Sequence, residues 1–413
     1  MHSKQHHSEQ AVMTLSRDVK ACLHAQQHDS HTSLICHAAS VLSEPDPQCK
    51  ADKTCIVAKL WNSRQLVPGK DAAQLSERPS RDDTKVKVVA PGKMPGLGKG
   101  GSLASRQAIL HSLVHIESWA VDLSWDIIAR FGCDNIYNLP DAFLDDFVQV
   151  AADEASHFQQ LQQRLTAIGS HYGALPVHNG LWESAAATAH SLPARLAVES
   201  CVHEARGLDR LPHTIKRFQN AGDAESAQLL EKIYQEEIAH CAAGVRWLTW
   251  LHTQASLACL HANPQRATCQ QNVSLAQNAQ AIQDTPSSQD STCSPSLDLD
   301  SKRESTDTVS TAAAAASTSD PVHVKGVLVG GQKESAAPRC IDSSCAEEAQ
   351  THEGKIPDWQ ADAQQYGTVE EWFHALVHAH FKGSLKPPFN EAARAAAGFG
   401  PQWYLPLSVE VLR

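Results

Sequence analysis

No apolar run in this chain approaches the length that a bilayer demands, which excludes a membrane-spanning helix. The opening stretch Met1-His-Ser-Lys-Gln-His-His-Ser-Glu-Gln10 also lacks the apolar core of a secretory signal. Both absences point to a soluble, intracellular protein, with the cytoplasm favoured; an organelle transit peptide needs no apolar core and stays open. The 12 cysteines contain no Cys-x-x-Cys pair, so the common zinc and dithiol motifs are missing. Cys133, Cys201 and Cys241 fall in well-patterned sequence and read as small apolar residues in a reducing compartment. Basic charge is scarce: 35 Lys and Arg face 46 Asp and Glu, a formal net charge of -11, and no basic run stands out. A general polyanion-binding surface is thereby disfavoured, though a local basic groove is not. The glycines of Gly96-Leu-Gly98-Lys-Gly100-Gly101 fit neither a Walker loop nor a dinucleotide fingerprint, and the stretch reads as plain loop.

What the chain does have is helical periodicity, unevenly spread over its 413 residues. Residues 1–32 are polar and His-rich and read as a disordered or targeting segment. Residues 33–82 form a helical lead-in and link, with helices expected over Ser33 to Leu42 and Lys50 to Gln65. Residues 83–253 hold four long helical patterns. The first runs from Ser105 to Phe131, roughly 40 Å at about 1.5 Å per residue. The second opens at Pro140-Asp141 and stops at Gly169. Ser191 to Pro193 opens the third, which Pro212 is expected to end or kink, and Asp223 caps the fourth. Between 254 and 364 the pattern disappears into Ser, Thr, Ala, Asp and Gln, as in a disordered low-complexity insertion. Residues 365–413 restore order as a C-terminal helix, Glu370 to Phe381, and a tail packing on the bundle. The fold class is all-α, a four-helix bundle with appendages.

The apolar stripes of the four helices are interrupted by acids. One reads Leu230, Ile233, Glu237, His240, Gly244, Trp247, Leu251, and another Phe147, Val150, Glu154, His157, Leu161. The remaining two carry one inward carboxylate each, Glu117 after Leu110 and Leu113, and Glu204 between Cys201 and Leu208. A single Glu-x-x-His is weak, since about one is expected by chance with 23 His. Glu371-Trp-Phe-His374 repeats the spacing on what reads as a solvated face. Two inward pairs and two inward single carboxylates on four helices are more specific. Buried ionised carboxylates are costly unless compensated, and two divalent cations would balance four of them. One Glu from each of two helices with Glu-x-x-His from the other two is the ligand pattern of ferritin-like di-iron and di-manganese bundles. The bland alternative is a set of polar residues at helix edges. Asp153 and Glu236, each preceding a ligand glutamate, are placed to hold the outer N–H of a ligand histidine, or else face solvent. Tyr234, one turn before Glu237, is a redox or proton-transfer candidate whose ordinary role would be packing. His115 and His203 adjoin ligands in sequence and so point elsewhere on a helix.

Several strings resemble the uncharacterised ferritin-like proteins grouped as domain of unknown function 455. They are His115-Ile-Glu117 with Val121-Asp-Leu123, Val150-Ala-Ala-Asp-Glu-Ala-Ser-His-Phe158, Tyr172-Gly with Leu181-Trp-Glu183, Glu204-Ala-Arg-Gly-Leu-Asp209, Glu236-Glu-Ile-Ala-His240, and Lys386-Pro-Pro-Phe-Asn390 with Ala393-Arg394. The resemblance implies a ferritin-like core with a di-metal centre on Glu117, Glu154, His157, Glu204, Glu237 and His240, and it supplies no substrate. This chain departs in having Glu236 where the family usually has Asp, and in the long insertion after the fourth helix. The expected function is an oxidoreductase that uses two iron ions, or manganese, to activate dioxygen and oxidise or hydroxylate an unknown substrate. A metal-handling ferroxidase or storage protein and a non-catalytic adaptor bundle are the alternatives. No membrane partner is expected; an RNA substrate stays open by fold analogy alone, and the oligomeric state is not legible.

Overall fold

In the computed structural model, which describes residues 33–69, 75–262 and 358–409, most helices start on a residue able to hold the first free N–H groups. Ser33 accepts from Cys36 N at the head of α1 (Leu34–Leu42), and Asp46 accepts from Cys49 N at the head of α2 (Pro47–Asn62). Ser102 does the same for Ser105 N in α3 (Leu103–Phe131). Pro140 precedes α4 (Asp141–Ala167), and Asp141 brings a carboxylate to its positive end. After α5 (Gly180–Ala187), Ser191 caps α6 (Leu192–Arg195), which runs directly into a π-helical stretch (Leu196–His203) and then α7 (Glu204–Asn220). Asp223 Oδ1 accepts from Ser226 N at the start of α8 (Ala224–Ala262). The C-terminal part contributes α9 (Asp358–Ala363), α10 (Val369–His380), α11 (Glu391–Ala396) and α12 (Pro401–Val409). Among the described residues there are no strands, only isolated bridges joining Ser33 to Val67 and Val88 to Val177.

The helix α3 packs along α4, and α8 packs along α7 and the π-helical stretch, so four helical runs enclose one core. Leu110, Val114, Phe158, Leu161, Leu196, Val202, Leu208, Leu230 and Leu248 are all fully or almost fully buried there. Each such side chain contributes about 1.5–3 kcal/mol of burial. The lead-in helices cover α3 and α4, while α9, α10 and α11 cover α8, α10 also meets the π-helical stretch, and α12 packs on α10. At Gly244 the backbone of α8 comes so close to Ser200 that an added Cβ would sit 2.3 Å from the Ser200 carbonyl oxygen. Only glycine permits that approach.

Three sequence expectations change. Pro212 does not end the third helix; it lies inside α7. A proline cannot bond the carbonyl four residues back. Here that carbonyl, Leu208 O, accepts instead from Asn390 Nδ2 of the C-terminal tail at 3.1 Å. The fourth helix continues past 253 to Ala262, and α9 begins before 365. The two segments meet: Gln364 Nε2 donates to Ala255 O at 2.8 Å, and Trp372 Nε1 to Asp362 at 2.8 Å. The rest of the proposed insertion, 263–357, and the targeting segment 1–32 lie outside the described residues. All described residues belong to one unit, Met1–Thr268 with Ile356–Arg413. No helix among them is long and apolar enough to cross a membrane.

Candidate metal centre

The stripe residues that broke the apolar pattern meet at the middle of the four helices. Glu117 of α3, Glu154 and His157 of α4 and Glu237 of α8 form one group; Glu154, Glu237, His240 of α8 and Glu204 of α7 form a second. Within each group the potential ligand atoms lie within 4.8 Å of one another. Glu154 and Glu237 belong to both groups, between the two imidazoles, whose ring centroids are 5.7 Å apart. Glu204 keeps some exposure and the other five are buried.

Each imidazole turns Nδ1 inward. His157 Nδ1 stands 3.4 Å from both Glu154 Oε2 and Glu237 Oε1 and 3.9 Å from Glu117 Oε2. His240 Nδ1 stands 3.0 Å from Glu154 Oε1 and 3.3 Å from Glu237 Oε2. The outer nitrogens are held crosswise: His157 Nε2 donates to Glu236 of α8 at 2.9 Å, and His240 Nε2 to Asp153 of α4 at 3.4 Å. Each acid that precedes a cage glutamate thus serves the histidine of the facing helix. Such contacts fix the imidazole with Nδ1 free for a ligand. The longer Glu236 spans the gap more closely than Asp153 does.

No lysine or arginine pairs with these four glutamates among the described residues. Arg206, the cation nearest Glu204 in sequence, lies over the ring of Phe381. Compensation comes from protons instead. Burial and the neighbouring carboxylates push Glu117 and Glu204 well above the ordinary carboxylate range. Burial opposes charge on His157, but the Glu154 and Glu237 carboxylates 3.4 Å away and Glu117 beyond them outweigh it and push its pKa up to about 11. His240 moves upward against burial through the charges of Glu237 and Glu154. Glu154 Oε2, His157 Nδ1 and His240 Nδ1 are buried with no hydrogen-bond partner. These are atoms that a metal ion could take.

The other singled-out residues have different surroundings. Tyr234 is in neither ligand group, and its hydroxyl accepts from Asn390 Nδ2 at 2.7 Å. His115 sits between the Tyr172 hydroxyl at 2.8 Å and the His178 carbonyl at 3.0 Å. Glu371 closes the capping box of α10 with Thr368, and His374 meets the carbonyls of Gln402 and Trp403. One buried acid escaped the sequence pattern. Glu199 is 4 % exposed, and neither of its carboxyl oxygens has a hydrogen-bond partner. It shares a cavity with Glu204 and His240. On an α-helix, residues five apart point in different directions; the π-helical stretch, with its i to i+5 repeat, lets Glu199 and Glu204 share a face.

Residues 43–283 match the family described as "Protein of unknown function (DUF455)". The chain is similar to an uncharacterized protein of Haemophilus influenzae, 34% identical over 194 residues. That alignment covers 46% of this chain and 64% of the relative, less than two thirds of its length. No solved structure gives a significant match.

Proposed function

The chain belongs to the DUF455 family, and we propose that within that family it is a ferritin-like di-metal oxidoreductase. It would bind two iron ions, with manganese as the alternative, and use dioxygen to oxidise or hydroxylate a substrate. The observation that carries this reading is the cage itself: four inward glutamates with no lysine or arginine partner among the described residues, and three buried atoms with no partner, gathered in two overlapping groups. His157 with Glu117 would hold one ion and His240 with Glu204 the other, while Glu154 and Glu237 serve both. When bound, the metals would supply the redox chemistry. The protein's own residues set its conditions. Glu236 and Asp153 keep the imidazoles aimed inward, and Ile127, Phe147 and Val150 give the adjoining cavity an apolar wall that limits water. The reaction would belong to a soluble protein of the reducing cell interior, which fits the unpaired Cys201 and Cys241 in the core.

The test is oxygen uptake after Fe(II) is added anaerobically to metal-free protein and air is admitted. Uptake that disappears in Glu204→Ala supports an oxygen-using centre. Uptake that ends in bound ferric iron, with no oxidation of any added organic compound, would move the function to ferroxidase. No uptake, with no iron retained, would overturn the reading.

A further inference from the structure

The outer face of α7 carries the reverse of the chain's overall charge. Acidic residues outnumber basic ones by 46 to 35. Yet the solvent side of this helix reads Arg206, Arg210, His213 and Arg217, in steps of four, three and four, with Lys216 alongside. Leu208, Leu211, Ile215 and Phe218 take the opposite, buried face. At the far end Gly100 packs so closely on α7 that an added Cβ would lie 3.2 Å from Arg217 Cβ, which brings the exposed Lys99 to the end of the row. The glycine-rich stretch that fits no nucleotide motif thus adds a cation to this face.

The acids of α7 and of the turn after it are committed elsewhere. Glu204 belongs to the cage, and Asp209 holds Arg394 through contacts of 2.9 and 2.6 Å. Asp223 and Glu225 are held by Arg106 and Arg164. Exposed arginines on other helices have partners, Arg64 with Asp145 at 2.9 Å and Arg246 with Asp146 at 2.5 Å. Among the described residues Arg206, Arg210, Lys216 and Arg217 form no ion pair. Like charges four apart on a helix repel. Burial first, and then the charge of Arg210, push Arg206 below the ordinary arginine range against the charge of Asp209.

We infer that this face docks the phosphodiester backbone of a single-stranded nucleic acid. From Arg206 to Arg217 the row spans roughly 16 Å at about 1.5 Å per residue, too long for one phosphate or carboxylate and suited to a linear polyanion. Arginine forks take phosphate oxygens in pairs, and Arg206, Arg210 and Arg217 outnumber the one lysine of the helix face. A lipid surface would need apolar side chains beside the cations, and those of α7 point into the core. The net charge of -11 repels a polyanion from the rest of the surface, so binding depends on this face. The surface is independent of the metal reading.

Fluorescence anisotropy of the full-length protein with a labelled 20-nucleotide oligothymidylate is the test. Each phosphate contact on a single strand contributes about 0.7 to the slope of log affinity against log salt, so four contacts predict a roughly 50-fold loss of affinity from 50 to 200 mM salt. Arg210→Ala combined with Arg217→Ala should halve that slope, leaving a roughly sevenfold loss over the same range. Alanine suits exposed helix positions, so the variant should unfold thermally as wild type does. Arg210→Lys with Arg217→Lys should keep the wild-type slope, and so should Arg64→Ala with Arg246→Ala, which removes two arginines from other helices. No binding at 50 mM salt, or one slope shared by wild type and the double alanine variant, would overturn the surface. Displacement by polyglutamate as readily as by unlabelled oligonucleotide of equal charge would overturn the nucleic-acid partner in favour of an acidic protein.

Discussion

Two sets of buried carboxylates in the same bundle are compensated in opposite ways. Asp122 and Asp126 lie on α3 within three turns of Glu117, and both are almost completely buried. Asp122 binds Lys50 Nζ at 2.5 Å and also pairs with Arg81; Asp126 binds Arg195 at 2.5 Å and Arg130 at 2.7 Å. Burial works against the charge on Asp126, and the two arginines overcome it, holding the carboxyl below its usual range. Asp209 is paired in the same manner with Arg394 at 2.6 Å. Glu117, Glu154, Glu204 and Glu237 have imidazoles and protons where those aspartates have guanidinium and ammonium groups. A carboxylate with a fixed cation is finished as structure, while one held by exchangeable protons keeps its place for a cation that can arrive later.

The sharpest way to break the contrast is to remove a member of the finished set. Asp122→Ala leaves Lys50 buried without its partner and should cost about 3–5 kcal/mol in chemical denaturation, with or without metal. Rescue by Fe(II) would place Asp122 with the other set. Glu199, whose burial outweighs the charge of Arg195 and the contact of Ser184, gives the next largest effect. Its folded carboxyl binds a proton more tightly than an ordinary glutamate, whose pKa is 4.5, and is pushed up to about 7 by burial. The native state therefore loses stability as pH rises from 4.5 toward 7 and stays lower above that. Glu199→Gln removes the dependence, so the variant should exceed metal-free wild type by about 3 kcal/mol at pH 8 and match it near pH 4.5. Parallel stability curves across that window would contradict the account.

Glu204→Ala should weaken iron binding on the order of 100-fold, at or above the upper end of the effect of supporting residues. The metal-free protein should at the same time gain stability, because a carboxyl raised by burial and by Glu237 and Glu154 has gone. A loss of stability with unchanged iron content would make Glu204 a structural acid like Asp126. The smallest effect is expected at the outer contacts. Asp153→Ala, whose contact to His240 is 3.4 Å, should lower iron affinity about tenfold, and Glu236→Ala, at 2.9 Å to His157, somewhat more. Equal affinities in all three proteins would return both acids to ordinary surface roles.

How far the sequence reaches follows from the same physics. Phase along an α-helix is local, and it was enough to place Glu117, Glu154, His157, Glu204, Glu237 and His240 on inward faces that the fold brings together. It could also place Asp153 and Glu236 beside them. Glu199 was not legible, because the register change through Leu196–His203 is a departure from α-helical spacing that no local pattern announces. That the helix runs on through Pro212 is not legible either, because the carbonyl the proline leaves free is met by Asn390, far along the chain. The partners of Asp122 and Asp126 are likewise distant in sequence, so fixed and exchangeable compensation look identical until the chain is folded.

The most direct test of that distinction is elemental analysis of the purified full-length protein after incubation with Fe(II) and desalting. Four glutamates without a fixed cation, facing two imidazoles, predict about two iron or manganese ions per chain, falling in Glu204→Ala and unchanged in a folded Glu371→Ala. No retained metal, or a single zinc with no iron uptake, would contradict the account.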